Sequence, residues 1–329
     1  MNIGLIGYGY WGPNVAKNIF ANKRVALHTI CDLKQARLDK ARNIYVEQTR
    51  YEIDYRKILD NPEIDAIALV VETSAHFSIA KEALHAGKHL YIEKPFTSTV
   101  AEAQELMTLA SDRRLTIHVD HIMIYHPCIQ KIRELVVLGE LGELLYVEAM
   151  RMNLGQIKKD VSAMSDLAVH DLSIIDYLSG GKEPFDIKAV GAKKYNPKES
   201  LTFLLLRYDD FIVQIQSSWI SPLKERKLIV AGTKKMVVFD DLKPVTEKLT
   251  IYDKGVDVLS GDDVEYEDYA VKMRVGDIWI PYIPEQDALF NSIDHFVTCV
   301  ENRDASLSGP EQAIRVLKIL ESANSVMNA

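Results

Sequence analysis

Residues 2–12 read Asn-Ile-Gly-Leu-Ile-Gly-Tyr-Gly-Tyr-Trp-Gly, a short apolar run passing directly into Gly7-x-Gly9-x-x-Gly12. Pro13 follows at the start of a helix-like stretch, and Asp32 stands twenty residues after the last glycine, ending a second apolar run. A glycine triplet alone constrains little. Strand, turn, helix, strand and acid in that order constrain a great deal. Gly7 permits a tight turn, Gly9 admits backbone close to a pyrophosphate, and Gly12 lets the helix pack on the strand. The helix start aims N–H groups at phosphate oxygens. The pattern predicts a dinucleotide site, with Tyr10 and Trp11 in the same turn beside the cofactor. A carboxylate at position 32 suits ribose hydroxyls and repels a 2′-phosphate, favouring NAD over NADP although Arg37 lies one turn on. Asp32 can also cap a helix over 34–43 without conflict.

The alternation continues through the first third of the chain. Strands are expected at 2–6, 25–31, 65–71, 89–93 and 115–119, and helices at 13–21, 34–43, 54–59, 76–86 and 99–111. That order implies an α/β fold, a parallel sheet with helices on both faces. After a change of pattern at 121–127, a helix runs to about 138. Longer strands follow at 144–152, 185–194, 201–208, 211–219, 226–231 and 235–240, joined in part by short turns such as Asp209-Asp210 and Gly232-Thr233. They predict an open, mostly antiparallel α+β sheet. A helix at 166–178 closes on Ser179-Gly180-Gly181. The acidic stretch 253–268 reads as a mobile loop, and an amphipathic helix ends the chain. The expected division is a dinucleotide-binding Rossmann domain over 1–121 and a substrate-binding and oligomerisation domain over 122–329.

With 329 residues the chain is long enough for two cores. A formal net charge of −8 argues against nucleic acid or an anionic membrane surface as the main partner. No apolar run reaches the ~20 residues of a membrane helix. The first apolar residues already serve the nucleotide strand, so a cleaved signal peptide is not expected. Cys31, Cys128 and Cys299 lack metal spacing and read as reduced, packed thiols of a cytoplasmic protein.

Lys94 is the first candidate for chemistry. It leaves a parallel strand at its carboxyl end, where such sheets bind ligands, and Pro95 holds it extended. Beside a cationic nicotinamide its own charge is disfavoured, making it a better proton acceptor. Glu93 reads as its structural neighbour and a cofactor contact. Asp166 and His170, four apart on one helix, share a face where the carboxylate can tune the imidazole. Asp171 falls among apolar positions of that helix and needs a polar partner at a domain or subunit contact. His118, Asp120, His121 and His126 have no tetrahedral metal spacing, so no metal is expected. Tyr125 and His126 are expected to line a substrate cleft, and Asn153 to contact substrate.

The glycine turn, Asp32, Gly87-Lys-His-Leu-Tyr-Ile-Glu-Lys94-Pro95 and Asp166-x-x-x-His170 occur here in order. Together they resemble the Gfo/Idh/MocA family of NAD(P)-dependent oxidoreductases acting on sugars, sugar nucleotides and inositols. The resemblance implies that Lys94 and His170 transfer the proton of a reacting hydroxyl and that Asp166 positions substrate or its neighbours. It also implies an open second sheet used for homodimer or homotetramer contacts, and a C-terminal helix (about 309–327) that packs back on the first domain. Two departures stand out. Val71-Glu72 replaces a common Thr-Pro ahead of His76, and Ser162-Ala-Met-Ser165 replaces a Gly-Gly run. The stretch around Asp166 looks most like members tied to sugar-nucleotide oxidation. The expected activity is a dehydrogenase; the alternatives are an NAD-dependent redox glycosidase and a non-catalytic NAD-binding regulator.

Overall fold

The computed structural model describes residues 1–45, 49–155, 157–158, 161–195, 197–258 and 271–328. In chain order the first elements are β1 (Asn2–Ile6), α1 (Gly12–Ala21), β2 (Ala26–Cys31), α2 (Gln35–Arg42), β3 (Arg50–Glu52) and α3 (Arg56–Leu59). β4 (Ala66–Leu69), α4 (Thr73–His85), β5 (His89–Ile92), α5 (Val100–Arg113), β6 (Ile117–Val119) and a 3₁₀ turn at Ile122–Tyr125 follow. Next come α6 (Pro127–Val137), β7 (Leu144–Leu154), a π-helical turn (Met164–Ala168), α7 (Val169–Ser179), β8 (Asp186–Ala192), β9 (Leu201–Arg207) and β10 (Ile212–Ser218). The rest are β11 (Ile220–Gly232), β12 (Met236–Asp240), a 3₁₀ turn at Val245–Glu247, β13 (Leu249–Val258), β14 (Val271–Trp279), α8 (Ala288–Asn302) and α9 (Pro310–Asn328).

Two compact units result. The first comprises Met1–His126 with Gln286–Glu321; the second comprises Pro127–Glu285 with the residues from Ser322 on. In the first, six strands lie in the order β3-β2-β1-β4-β5-β6, every pair parallel. The order reverses between β1 and β4, the switch point at which such sheets bind ligands. β4 is buried at all four positions because helices cover both faces of the sheet. One core cluster gathers Ile67, Leu69, Leu90, Ile92, Leu106 and Val119 with Ala313 and Leu317 of α9. The other gathers Leu5, Ile30, Ala68 and Tyr91 with Ile293 and Phe296 of α8. Polar ties add to this packing: His121 Nδ1 meets Gln312 Oε1 at 3.0 Å, and the Val100 N–H donates to Glu321 Oε1 at 2.8 Å.

The second sheet has the order β14-β13-β12-β11-β7-β10-β9-β8. All its pairs are antiparallel except β7–β10. Burial alternates along β9, with Thr202, Leu204 and Leu206 inward and Phe203 and Leu205 outward.

Several local expectations are corrected. Residues 253–258 belong to β13, not a loop, paired with β14 from Lys254↔Val275 to Val258↔Val271; residues 259–268 lie outside the described ones. β3 and α8 were not anticipated. β3 has three residues, Arg-Tyr-Glu, and no apolar run to announce it. α8 starts at a real signal, the Asp287 carboxylate accepting from the Leu289 N–H at 2.9 Å. The helix expected over 166–178 is two pieces: the π-helical turn and then α7, closed by Gly180 at φ 74°.

Candidate functional site

The glycine turn shows why its residue types are needed. Gly7 sits at φ +100°, and a Cβ there would lie 2.0 Å from the Val70 carbonyl oxygen. At Gly12 a Cβ would lie 2.4 Å from the Gly7 carbonyl. Neither position can carry a side chain without moving backbone. Gly9 differs: the three atoms nearest a Cβ there all belong to the tip of the flexible Arg37 side chain, the closest at 3.6 Å. Its missing side chain therefore leaves room for something outside the turn. α1 begins with no side-chain cap and no acid in its first turn, so its dipole is left for an anion. Trp11 is half-buried and Tyr10 is 96% exposed.

Asp32 directly follows β2 and is buried. Its Oδ2 accepts the Tyr8 N–H at 2.8 Å, its Oδ1 accepts the Lys34 N–H at 2.9 Å, and Arg37 Nη1 lies 3.0 Å from Oδ2. The carboxylate is thereby fixed beside the glycine turn, one oxygen bound into the turn itself. The open Gly9 face, the uncapped α1 and this acid suit a dinucleotide.

Lys94 follows the carboxyl end of β5, and the Lys94–Pro95 peptide is cis. The Lys94 N–H donates to Glu93 Oε2 at 3.0 Å. Buried His76 holds the turn, its Nδ1 at 2.9 Å from the Pro95 oxygen and its Nε2 at 3.2 Å from the Val71 oxygen. Burial lowers the His76 pKa. Because position 71 contributes its carbonyl, the Val71-Glu72 departure leaves this tie in place. A cavity of about 790 Å³ opens near the opposite ends of β5 and β6, lined by His89, Thr116 and Arg303. Strand polarity, not cavity size, selects the Lys94 end.

Beside Glu93 lies Asp120, at the end of β6. Burial and the Asp120 charge push the Glu93 carboxyl well above its ordinary range. Burial also raises Asp120, opposed by hydrogen bonding. His118 is enclosed, with Nε2 2.9 Å from Ser292 Oγ and Nδ1 2.9 Å from Ser306 Oγ, and burial keeps it neutral. His121 is lowered to about 4 by burial. Among the described residues no group of three metal-ligating side chains exists.

Tyr125 is corrected. Only 2% exposed, it stacks on His118 at 5.5 Å and bonds Ser308 Oγ at 3.0 Å, inside the first unit's core. An aromatic side chain with its hydroxyl satisfied internally lines no open surface.

In the second unit, Asp166 sits in the π-helical turn and His170 in the first turn of α7. The projection of 100° per residue does not carry across a π turn, so the spacing alone gives no shared face. Such turns are frequent at functional sites. Asp166 Oδ1 is 2.8 Å from Lys158 Nζ, a partner the sequence reading missed. The His170 carbonyl accepts from Ser173 Oγ at 2.7 Å. Half-buried Asn153 lies near the end of β7.

Asp171 has its partner within this unit: Arg151 of β7 meets it through Nη2 at 2.8 Å and Nε at 3.2 Å, both side chains buried. Arg151 shares strand parity with inward Val147 and Ala149, a signal that could have found it.

Comparison with known proteins adds the lineage. A family model described as an oxidoreductase family with an NAD-binding Rossmann fold matches residues 1–121, and the GFO/IDH/MocA C-terminal domain matches 129–238. The UDP-N-acetylglucosamine 3-dehydrogenase of Acidithiobacillus ferrooxidans is 28% identical over 264 residues, covering 79% of this chain and 80% of that protein. A solved structure of that enzyme superposes with a TM-score of 0.82 at 26% identity, covering 100% of this chain and 98% of the other. An inositol 2-dehydrogenase of Salmonella typhimurium is 22% identical over 230 residues, 68% of this chain and 66% of that protein. With both halves matched by models of one family, the chain belongs to the Gfo/Idh/MocA oxidoreductases, built on an NAD-binding Rossmann domain.

Proposed function

We propose that this protein is an NAD-dependent dehydrogenase that oxidises or forms a secondary hydroxyl on a sugar nucleotide, sugar or inositol. The observation that carries the reading is Lys94, leaving β5 at the sheet end that also holds the open Gly9 face and Asp32. Relatives named for UDP-N-acetylglucosamine and inositol support the substrate class. NAD, when bound, exchanges a hydride at its nicotinamide ring.

The chain's own residues do the rest. Gly7, Gly9, Gly12 and the start of α1 hold the pyrophosphate, with Tyr10 and Trp11 alongside. Asp32 accepts from the adenosine ribose hydroxyls, which favours NAD over NADP. Glu93 adds a cofactor contact. Lys94 and His170 act on one substrate hydroxyl, one taking its proton while the other stabilises the developing alkoxide. Asp166, held by Lys158, orients them, and Asn153 contacts the substrate. The outward face of the second sheet carries Phe203, Leu205, Ile212 and Val190, all exposed, and serves a second copy of the chain in a homodimer or homotetramer. No described helix is long and apolar enough to cross a membrane, and we place the enzyme in the cytoplasm.

The test is a panel of nucleotide sugars, free sugars and inositols with NAD or NADP, followed at the nicotinamide absorbance. Turnover of a nucleotide sugar with NAD is the expected result. Release of an aglycone with no accumulating NADH would replace the dehydrogenase by a redox glycosidase.

A further inference from the structure

We infer that Glu93 and Asp120 form an acid pair that holds one shared proton beside Lys94, giving it up when the cationic cofactor binds and recovering one when hydride arrives. The inference rests on the dinucleotide reading of this sheet end and extends it to two side chains with no assigned part in proton movement.

The geometry follows from strand register. β5 and β6 pair in parallel with Ile92 opposite Val119, so the next residue of each strand, Glu93 and Asp120, leaves the sheet beside the other. The Asp120 N–H donates to the Ile92 carbonyl at 2.7 Å, which fixes that exit. Asp120 is 2% exposed. Its Oδ1 accepts from Ser292 Oγ at a long 3.3 Å, and its Oδ2 has no hydrogen-bond partner of good geometry. A buried carboxylate with an unsatisfied oxygen is costly, and it does not ionise cheaply together with the half-buried Glu93 carboxylate beside it. Sharing one proton resolves both problems, as in other carboxyl dyads.

The groups facing the pair come from several elements. Tyr91 and Lys94 belong to β5 and its exit, Trp11 to the glycine turn, and Ser292 to α8. Behind Ser292 stands neutral His118. His121 follows Asp120, and its proton is disfavoured by burial and by the Lys94 charge. Lys94 is thus the cation that acts on Glu93, and burial with the Asp120 charge holds the shared proton on the Glu93 side.

An oxidised nicotinamide carries one positive charge that the reduced ring lacks. Placed beside this pair, that charge favours full ionisation, and the shared proton leaves to solvent. During alcohol oxidation the C–H bond breaks and its electron pair goes with hydride to the nicotinamide. The hydroxyl proton passes to Lys94 or His170 and is then retained by the re-protonated pair, so charge at the sheet end is conserved through the step.

The test needs no turnover. NAD⁺ and NADH are titrated separately into the full-length protein by calorimetry at pH 7, in phosphate, HEPES and Tris, whose ionisation enthalpies differ. The expected result is release of between about half a proton and one proton per NAD⁺ bound, and much less with NADH. Asp120→Asn abolishes the difference while still binding NADH. Ser292→Ala, which removes the Oδ1 bond together with the Ser292 contacts to His118 and Tyr91, changes the amount released and covers the case in which Asp120→Asn fails to fold. Equal proton release with both cofactors, or release unchanged in Asp120→Asn or Ser292→Ala, overturns the pair. Absence of any binding heat with either cofactor instead overturns the dinucleotide reading on which it rests.

Discussion

In the six-stranded sheet, β4 is buried at every position, and what is left for a ligand is the row of strand ends where Gly7, Asp32, Glu93 and Lys94 stand. In the eight-stranded sheet, β9 buries every second residue and turns Phe203 and Leu205 to solvent. The contrast follows from connection type. Parallel strands need crossover helices, which cover both faces; antiparallel strands joined by hairpins can leave a face open. One sheet therefore offers a ligand only its edge of loops, where a backbone turn has little freedom to change. The other presents a broad surface and is held by side-chain pairs, where partners can be exchanged together.

The largest effect is expected at Gly7. Gly7→Ala puts a methyl group 2.0 Å from a backbone oxygen at φ +100°. It is expected to cost more than about 4 kcal/mol and to abolish NADH binding. Chemical denaturation and cofactor titration check both, and an alanine variant that binds NADH like the parent would deny the turn its role.

In the second sheet the corresponding change is Arg151→Met, which leaves Asp171 buried without its cation. A loss of about 3–5 kcal/mol is expected. Unlike the glycine turn, this site should accept a joint replacement: Arg151→Met with Asp171→Leu recovers most of the loss in the same denaturation experiment. Equal damage from the single and double variants would mean that the pair does more than satisfy itself.

A smaller effect belongs to pH and to the first unit. The His121 imidazole is held at about 4 against an ordinary value near 6.5, so the folded chain binds fewer protons than the unfolded one in that interval. Stability from this group is present above about pH 6.5 and is lost as pH falls toward 4, by roughly 3 kcal/mol. Buried His76 and His118, also lowered, act with the same sign. Urea unfolding followed from pH 7 to 4 should show the decline, and His121→Gln should make it shallower, leaving the His76 and His118 part.

The two sheets were also unequally legible in the sequence. β1, β4 and β5 are continuous apolar runs closed by glycine, proline or acid, and they stood out because burial on both faces leaves no polar interruption. β13 and β14 did not: Lys254, Asp257, Lys272 and Arg274 punctuate them, so that residues from 253 on read as loop and β14 was not anticipated. Asp32 and Lys94 could be singled out as candidates because a local motif marks each. Asp120, His76 and Arg151 could not be assigned roles, since each acts through a partner distant in sequence: Ser292, the Pro95 carbonyl and Asp171. Tyr125 was misread for the same reason. Its position after a strand suggested a cleft, while Ser308 and His118, brought in by the returning chain, enclose it.

The proposed function requires Lys94 and His170 to serve one proton transfer, which single-turnover absorbance of the nicotinamide can follow. Lys94→Ala and His170→Ala, each saturated with substrate and cofactor, should slow hydride transfer by about 10²–10⁴-fold while NADH affinity stays nearly intact. A double variant that transfers hydride at the parent rate would contradict it.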